Sequence, residues 1–302
     1  LDIPIDVSMV ERVEILTPSM LLSRGIVAFC GAVNIVVSES YGDRLRAELS
    51  AGSHGTAKVS LLATKSTGMW SHTAAASYGR SDGYMENTDY RMGNVYLQSV
   101  RRGERGSWQF QIGGQMKDYG SQAFYSVSYP DQFESTRTLT ASVQNITKLG
   151  TCRIESTLYG RAHSDRFELF RGAPEKYPFN YHKTDVLGAN LNFRADTRLG
   201  QTAFGAEARP ERIISTNLGE KRADPRGVYV CGLDRTAFNL FLEHHIVLGR
   251  LSASAGLTTV YKTGNKEGIC LFPGIDANFR ITDAVRLYAS YNTSYRMPTF
   301  TI

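Results

Sequence analysis

The sequence predicts an all-β membrane protein, an antiparallel transmembrane β-barrel, and two observations carry that prediction. Between about residue 44 and residue 292, polar and apolar side chains alternate in run after run. The connections between those runs are themselves alternately short and long. A strand sends successive side chains to opposite faces, so each run separates into two faces by inspection.

The first forty residues differ in kind. Val10-Glu11-Arg12-Val13-Glu14-Ile15-Leu16 alternates like a short strand. Thr17-Pro18-Ser19 resembles a helix opening for the short stretch Met20-Leu21-Leu22, and small residues from Gly25 lead into a second strand, Ala32-Val33-Asn34-Ile35-Val36-Val37. Residues 1–42 are therefore expected to form part of a small α/β piece, and residues 43–302 a partial barrel.

The barrel strands follow. Arg44 to Ala51 sets Leu45, Ala47 and Leu49 against Arg44, Arg46 and Glu48. Ser107 to Lys117 sets Trp108, Phe110 and Ile112 against Gln109, Gln111 and Gln115. Thr151 to His163 sets Cys152, Ile154 and Leu158 against Arg153, Glu155, Arg161 and His163; Asp185 to Arg194 and Val285 to Asn292 repeat the pattern. A soluble sandwich also alternates. A small closed soluble barrel, however, fills its interior with apolar side chains and could not cheaply bury charges in mid-strand. Lipid outside and a wet lumen inside resolves the conflict.

Thirteen strands are expected, at roughly 44–52, 56–65, 69–79, 89–100, 107–118, 136–146, 151–163, 184–194, 200–211, 237–247, 250–261, 269–279 and 285–293. Each is near the ~9–11 residues that a tilted membrane strand needs. Connections after even-numbered strands are short, as at Ser66-Thr67-Gly68 and Leu248-Gly249. After odd-numbered strands they grow through 80–88 and 119–135 to 164–183 and 212–236. The long rim is always the same rim, as in outer-membrane barrels.

Composition is consistent with this reading. No apolar run approaches the ~20 residues of a spanning helix, and a negative mean hydropathy is no objection when half of each strand faces water. The charge of +5 is mild and scattered; with only Arg101, Arg102 and Arg105 clustered, nucleic acid is not an expected partner. Cys30, Cys152, Cys231 and Cys270 form no metal or CxxC spacing, and small buried apolar residues are the expected role of Cys152 and Cys270. His244-His245 would face opposite sides of its strand and cannot chelate one ion. No cofactor is implied.

At both ends the residues resemble a known family. Ile3-Pro4-Ile5-Asp6, the Val10–Leu16 strand, Pro18-Ser19 and Gly31-Ala32-Val33-Asn34-Ile35-Val36 resemble the end of the plug domain of TonB-dependent outer-membrane receptors. Tyr288-Ala289-Ser290-Tyr291 and Tyr295-Arg296-Met297-Pro298-Thr299-Phe300 are similar to that family's late-barrel segment. Thr17, Ser23-Arg24 and Cys30 depart from its usual plug residues. The segments 83–90, 129–134 and 159–163 resemble cobalamin-type receptors of gut Bacteroidetes.

The resemblance implies a bacterial outer-membrane barrel with a plug, about 13 of its 22 strands being present here. The chain reads as a fragment without the TonB box, leader or last strands. Its open edges lead us to expect that it would not insert stably alone; heat-modifiable gel migration after refolding would contradict this. The resemblance also implies uptake without covalent chemistry, of cobalamin or another corrinoid, or alternatively of a ferric siderophore or haem. The implied partners are TonB, outer-membrane lipids and, as an open alternative, a surface lipoprotein. An outer-membrane enzyme or adhesin is a weaker alternative: His72, His163 and His182 lie near strand ends without a recognisable nucleophile motif.

Recognition would then fall to loop residues, since aromatic and polar side chains suit large planar ligands. The candidates are Tyr84 and Tyr90 in the second long loop, Tyr119, Phe124, Tyr125, Tyr129 and Phe133 in the third, and Arg171, Tyr177, Phe179 and Tyr181 in the fourth. Aromatics near a rim also anchor barrels at lipid headgroups. Asp82, Glu86 and Asp89 lack the repeated spacing of a dedicated Ca²⁺ loop and read as a solvated acidic loop.

Overall fold

The computed structural model describes residues 3–16, 32–37, 42–264, 268–293 and 300. A 3-10 turn, Val7–Met9, is capped by the Asp6 carboxylate, which accepts from the Ser8 N–H. It leads into β1 (Val10–Leu16), which pairs antiparallel with β2 (Ala32–Val37), both where alternation placed them. The expected short helix at Met20–Leu22, Cys30 and the 295–299 segment lie outside the described residues.

The second sheet contains β3 (Arg44–Ala51), β4 (Ala57–Thr67), β5 (Trp70–Ser81), β6 (Tyr90–Gly103), β7 (Gly106–Gly120), β8 (Phe133–Leu149) and β9 (Cys152–Glu168). It continues with β10 (Asn180–Thr197), β11 (Gly200–Ser215), β12 (Glu220–Arg226), β13 (Tyr229–Leu248), β14 (Leu251–Lys262), β15 (Ile269–Arg280) and β16 (Arg286–Asn292). All but β12 form one antiparallel meander in chain order, so each of the thirteen expected strands is present. β12 was not foreseen; it folds back on β13 within the 216–228 connection.

The two faces sort as the alternation requires. Leu61, Leu97, Ile112, Leu139, Leu191 and Leu240 point outward and are exposed, while Ser60, Thr73, Asn94, Gln98, Thr138 and Asn239 point inward and are buried. An exposed apolar surface spanning thirteen strands far exceeds the few hundred Å² that a soluble monomer tolerates, so its solvent is hydrocarbon. At the short-turn rim Trp70, Trp108 and Phe110 stack with centroids 6.1–6.2 Å apart, an aromatic edge suited to the headgroup layer. The tight turns use glycine: Gly150 and Gly249, with φ of 61° and 59°, open two-residue hairpins, and such hairpins require left-handed backbone there.

The strand ends differ from expectation by up to three residues at the short turns and by up to eight on the long-loop rim. β8 begins at Phe133, β9 runs to Glu168, β10 begins at Asn180, β11 runs to Ser215 and β13 begins at Tyr229. These extensions all lie on the long-loop side. Beyond the hydrocarbon both faces of a strand are wet, so the backbone ladder continues while the apolar alternation stops.

Cys152 and Cys270 are half-buried rather than buried; Cys270 faces the lumen in register with Val260, and Cys152 is on the outward face. No disulfide joins the described cysteines. His244 reaches Thr202 and His245 reaches Ser252 from opposite faces, as expected.

The N-terminal piece sits against the inner wall. Met9 and Val37 are buried with Leu62, Ala75 and Tyr96, an apolar patch on the inner face of β4, β5 and β6. Around them, Lys58 Nζ lies 2.8 Å from Asp6 Oδ2, and Gln115 Nε2 donates to the Ile3 carbonyl at 3.0 Å. The apolar patch thus marks the seat of the segment, and the polar bonds set its register.

Candidate ligand vestibule

Between the N-terminal piece and the long loops, the inner wall encloses a cavity of about 780 Å³. Its floor comes from inward positions of β8 to β11 and β13, its upper wall from the β7–β8 loop. Arg161, His163, Asp165, His182, Glu211 and Arg235 contribute charge and imidazole, and Tyr125 and Tyr129 contribute aromatic surface.

Glu211, Arg235 and both imidazoles are held in place. Glu211 is gripped from two sides, by Arg209 Nε at 2.7 Å and Arg235 Nε at 2.6 Å. His163 Nδ1 pairs with Thr138 Oγ1 at 2.8 Å and His182 Nδ1 with Ser215 Oγ at 2.7 Å. Both rings therefore turn Nε2 toward the Asp165 carboxylate, at 3.7 Å and 4.0 Å. Deeper in the lumen the Tyr159 hydroxyl donates to Glu207 at 2.6 Å, with the ring lying over Gly188, where a Cβ would fall 2.1 Å from it.

The residues expected from sequence divide between two faces. Tyr125 and Tyr129 line the vestibule. The hydroxyls of Tyr119 and Tyr125 donate to the two oxygens of Glu134, and Lys117 lies over the Tyr119 ring at 4.6 Å. Tyr90 is half-buried, paired in register with Ser81 and Tyr119 on the inward side. Phe124 stacks edge-on against Tyr125 at 4.9 Å but is mostly exposed. Phe133 is buried beneath Arg171, its strand position pointing away from the lumen, and Phe179 lies 5.9 Å from Arg166 on that same outer side. Tyr181 pairs with Arg166 there; its N–H donates to the Thr216 hydroxyl and its carbonyl accepts from the Thr216 N–H. Tyr84 and Tyr177 are exposed. Arg171 grips Asp89, so this acidic residue of the second loop is committed to a guanidinium.

His182, Asp165, Arg161, Glu211, Arg235 and Glu134 were not singled out from sequence as binding residues. The i, i+2 spacing of His163 and Asp165 places them on one face, but only register brings His182 opposite Asp165.

Ser215, the serine against His182, is not placed to act as a nucleophile. His182 touches a serine, which invites comparison with a hydrolase, but Ser215 is 0% exposed. Its hydroxyl accepts from the Asn217 and Leu218 N–H groups and closes a turn. A nucleophile must reach its substrate, and this one is sealed. Among the described residues no group of three or more His, Cys, Asp or Glu side chains is placed to hold a metal ion.

The model of the family described as "TonB dependent receptor-like, beta-barrel" matches residues 39–302. The chain belongs to this family. Its barrels lie in the bacterial outer membrane, the setting that the outward apolar band requires. No curated protein matches the sequence. Among solved structures, the receptor is similar to the FrpB iron transporter of Neisseria meningitidis, with a TM-score of 0.78 and 11% identity over 97% of this chain and 53% of that one. The ferric enterobactin receptor of Pseudomonas aeruginosa gives a TM-score of 0.73 and 15% identity over 97% and 50% of the two chains. The siderophore receptor PirA of the same organism gives 0.71 and 13% over 96% and 50%. The receptor chain thus spans about half the length of each of these structures, and at such identities the likeness is one of fold.

Proposed function

We propose that the protein takes up a bulky iron chelate across the outer membrane, with TonB driving release through the plug. The observation that carries this reading is the vestibule: Arg161 stands below an aromatic lip of Tyr125 and Tyr129, beside an Arg235–Glu211 pair and an Asp165 carboxylate flanked by two imidazoles. Ferric siderophores are commonly anionic and bear flat donor groups, which guanidinium and aromatic faces recognise together. The iron and siderophore receptors of similar fold support the same choice. The corrinoid expected from short sequence segments finds no such support and becomes the second reading.

Binding to the intact receptor in detergent tests the choice. A ferric catecholate, a ferric hydroxamate, haem and cyanocobalamin would be titrated separately. We expect one ferric ligand to bind tightly, and Arg161→Ala and Tyr125→Ala each to weaken it about tenfold or more, the loss of a charged hydrogen bond or an aromatic contact. Tight binding of cyanocobalamin with none of the iron ligands would overturn the proposal and restore the corrinoid.

A further inference from the structure

Three of the long loops converge on one residue outside the vestibule. Asn87, in the β5–β6 loop, has a left-handed backbone with φ of 55°. Its side-chain amide donates to the Pro130 and Gln132 carbonyls of the β7–β8 loop at 2.9 Å and 2.7 Å. Its side-chain oxygen accepts from Arg171 of the β9–β10 loop at 2.9 Å, and its backbone carbonyl accepts from the Gln122 N–H at 3.2 Å.

Arg171 closes the junction. Its guanidinium reaches both Asp89 oxygens at 2.5 Å and 2.9 Å and lies 4.5 Å over the Phe133 ring, while its N–H donates to the Asp131 carbonyl at 2.9 Å. Gln132, 0% exposed, turns inward to accept the Tyr125 N–H at 3.1 Å. Gly120 makes the approach possible, because a Cβ there would fall 2.4 Å from the Asn87 carbonyl.

We propose that Asn87 and Arg171 lock these three loops into one rigid body, so that residues remote from the ligand position the aromatic lip and the loops move as a unit. Separately, loops of this length would each sample many backbone states. The clasp joins positions 43 to 84 residues apart in sequence through groups that can each be satisfied only when the others are in place. Tyr125 against Phe167 at 5.3 Å and Tyr129 against Phe170 at 5.7 Å carry the same coupling to the vestibule side. Asn87 and Arg171 are positioning residues, whatever ligand binds.

Charge reinforces the clasp at physiological pH. The hydrogen bond from Arg171, against a smaller cost of burial, holds the Asp89 carboxyl below its ordinary 3.8. A carboxylate with a depressed folded pKa stabilises above its ordinary value and loses that contribution only as the pH falls through the lowered one. The clasp is therefore insensitive to pH across the neutral range.

Hydrogen exchange on the intact receptor in detergent tests the coupling. Asn87→Ala is expected to speed exchange about tenfold or more at Ser121 to Tyr125 and, together with it, at Arg171 and Gly172, as cooperative local opening requires. Tyr84→Ala, in the same loop but outside the clasp, should leave both segments unchanged. Faster exchange confined to the β5–β6 loop, or none, would overturn the proposal. Should Asn87→Ala fail to give a heat-modifiable barrel, Asp89→Asn, which keeps the shape and removes the charge, is read by the same two segments.

Discussion

Leu191→Arg is expected to cost the barrel about 2–4 kcal/mol, whereas Asn190→Arg, one residue earlier in the same strand, should cost little. Leu191 stands in the outward band of β10 with half its surface exposed, and Asn190 points into the lumen. An arginine at the first position must enter hydrocarbon, snorkel or thin the bilayer; at the second it meets water and neighbouring polar groups. The urea midpoint for unfolding from lipid vesicles, taken on the intact receptor, measures the difference. Equal effects at the two positions would show that the outward band does not face lipid.

Removing the cation beneath the N-terminal segment should have an effect of similar size. Lys58→Met leaves Asp6, 6% exposed, as a buried carboxylate without its ion partner. Breaking one side of a fully buried pair costs about 3–5 kcal/mol; the Lys58 side chain is 38% exposed and Asp6 keeps bonds from Ser8 and Ser77, so the loss should fall below that range, at about 1–3 kcal/mol. Asp6→Asn combined with Lys58→Met should recover most of the loss, because the uncompensated charge is then gone. The readout is hydrogen exchange across residues 3–9. Exchange as slow in Lys58→Met as in the parent would contradict the account.

The pH dependence of that pair has a definite sign. Burial would raise the Asp6 pKa, but hydrogen bonds from Lys58, Ser8 and Ser77 outweigh it and hold the carboxyl at about 2. A depressed folded pKa stabilises above the ordinary value of 3.8, and this contribution disappears as the pH falls from there through about 2. Docking of the segment should therefore be flat with pH near neutrality and weaken only in strong acid.

The strands were legible because the bilayer enforces one rule on every residue that crosses it. Leu187, Ala189 and Leu191 had to be apolar and Asn190 and Asn192 were free to be polar, so period and register could be read directly. The rule lapses above the membrane. Residues 229–236 run Tyr-Val-Cys-Gly-Leu-Asp-Arg-Thr without alternation, yet they extend β13 because their backbone groups pair with β11 and β12. The site was legible in part for the same reason. Tyr125 and Tyr129 stand out as loop aromatics, while Phe133 and Arg171, equally plausible by type, are used on the outer side of the wall. His163, Asp165 and His182 meet only through pairing between strands that one sequence does not announce.

The most direct test of the whole reading is uptake by living cells. Iron-starved bacteria producing the receptor would be given a radiolabelled ferric chelate, with and without a functional TonB, and internal iron counted. Our account predicts accumulation of at least one ferric chelate that disappears without TonB and falls with Arg161→Ala. TonB-dependent accumulation of labelled cobalamin, with no ferric chelate taken up, would contradict it.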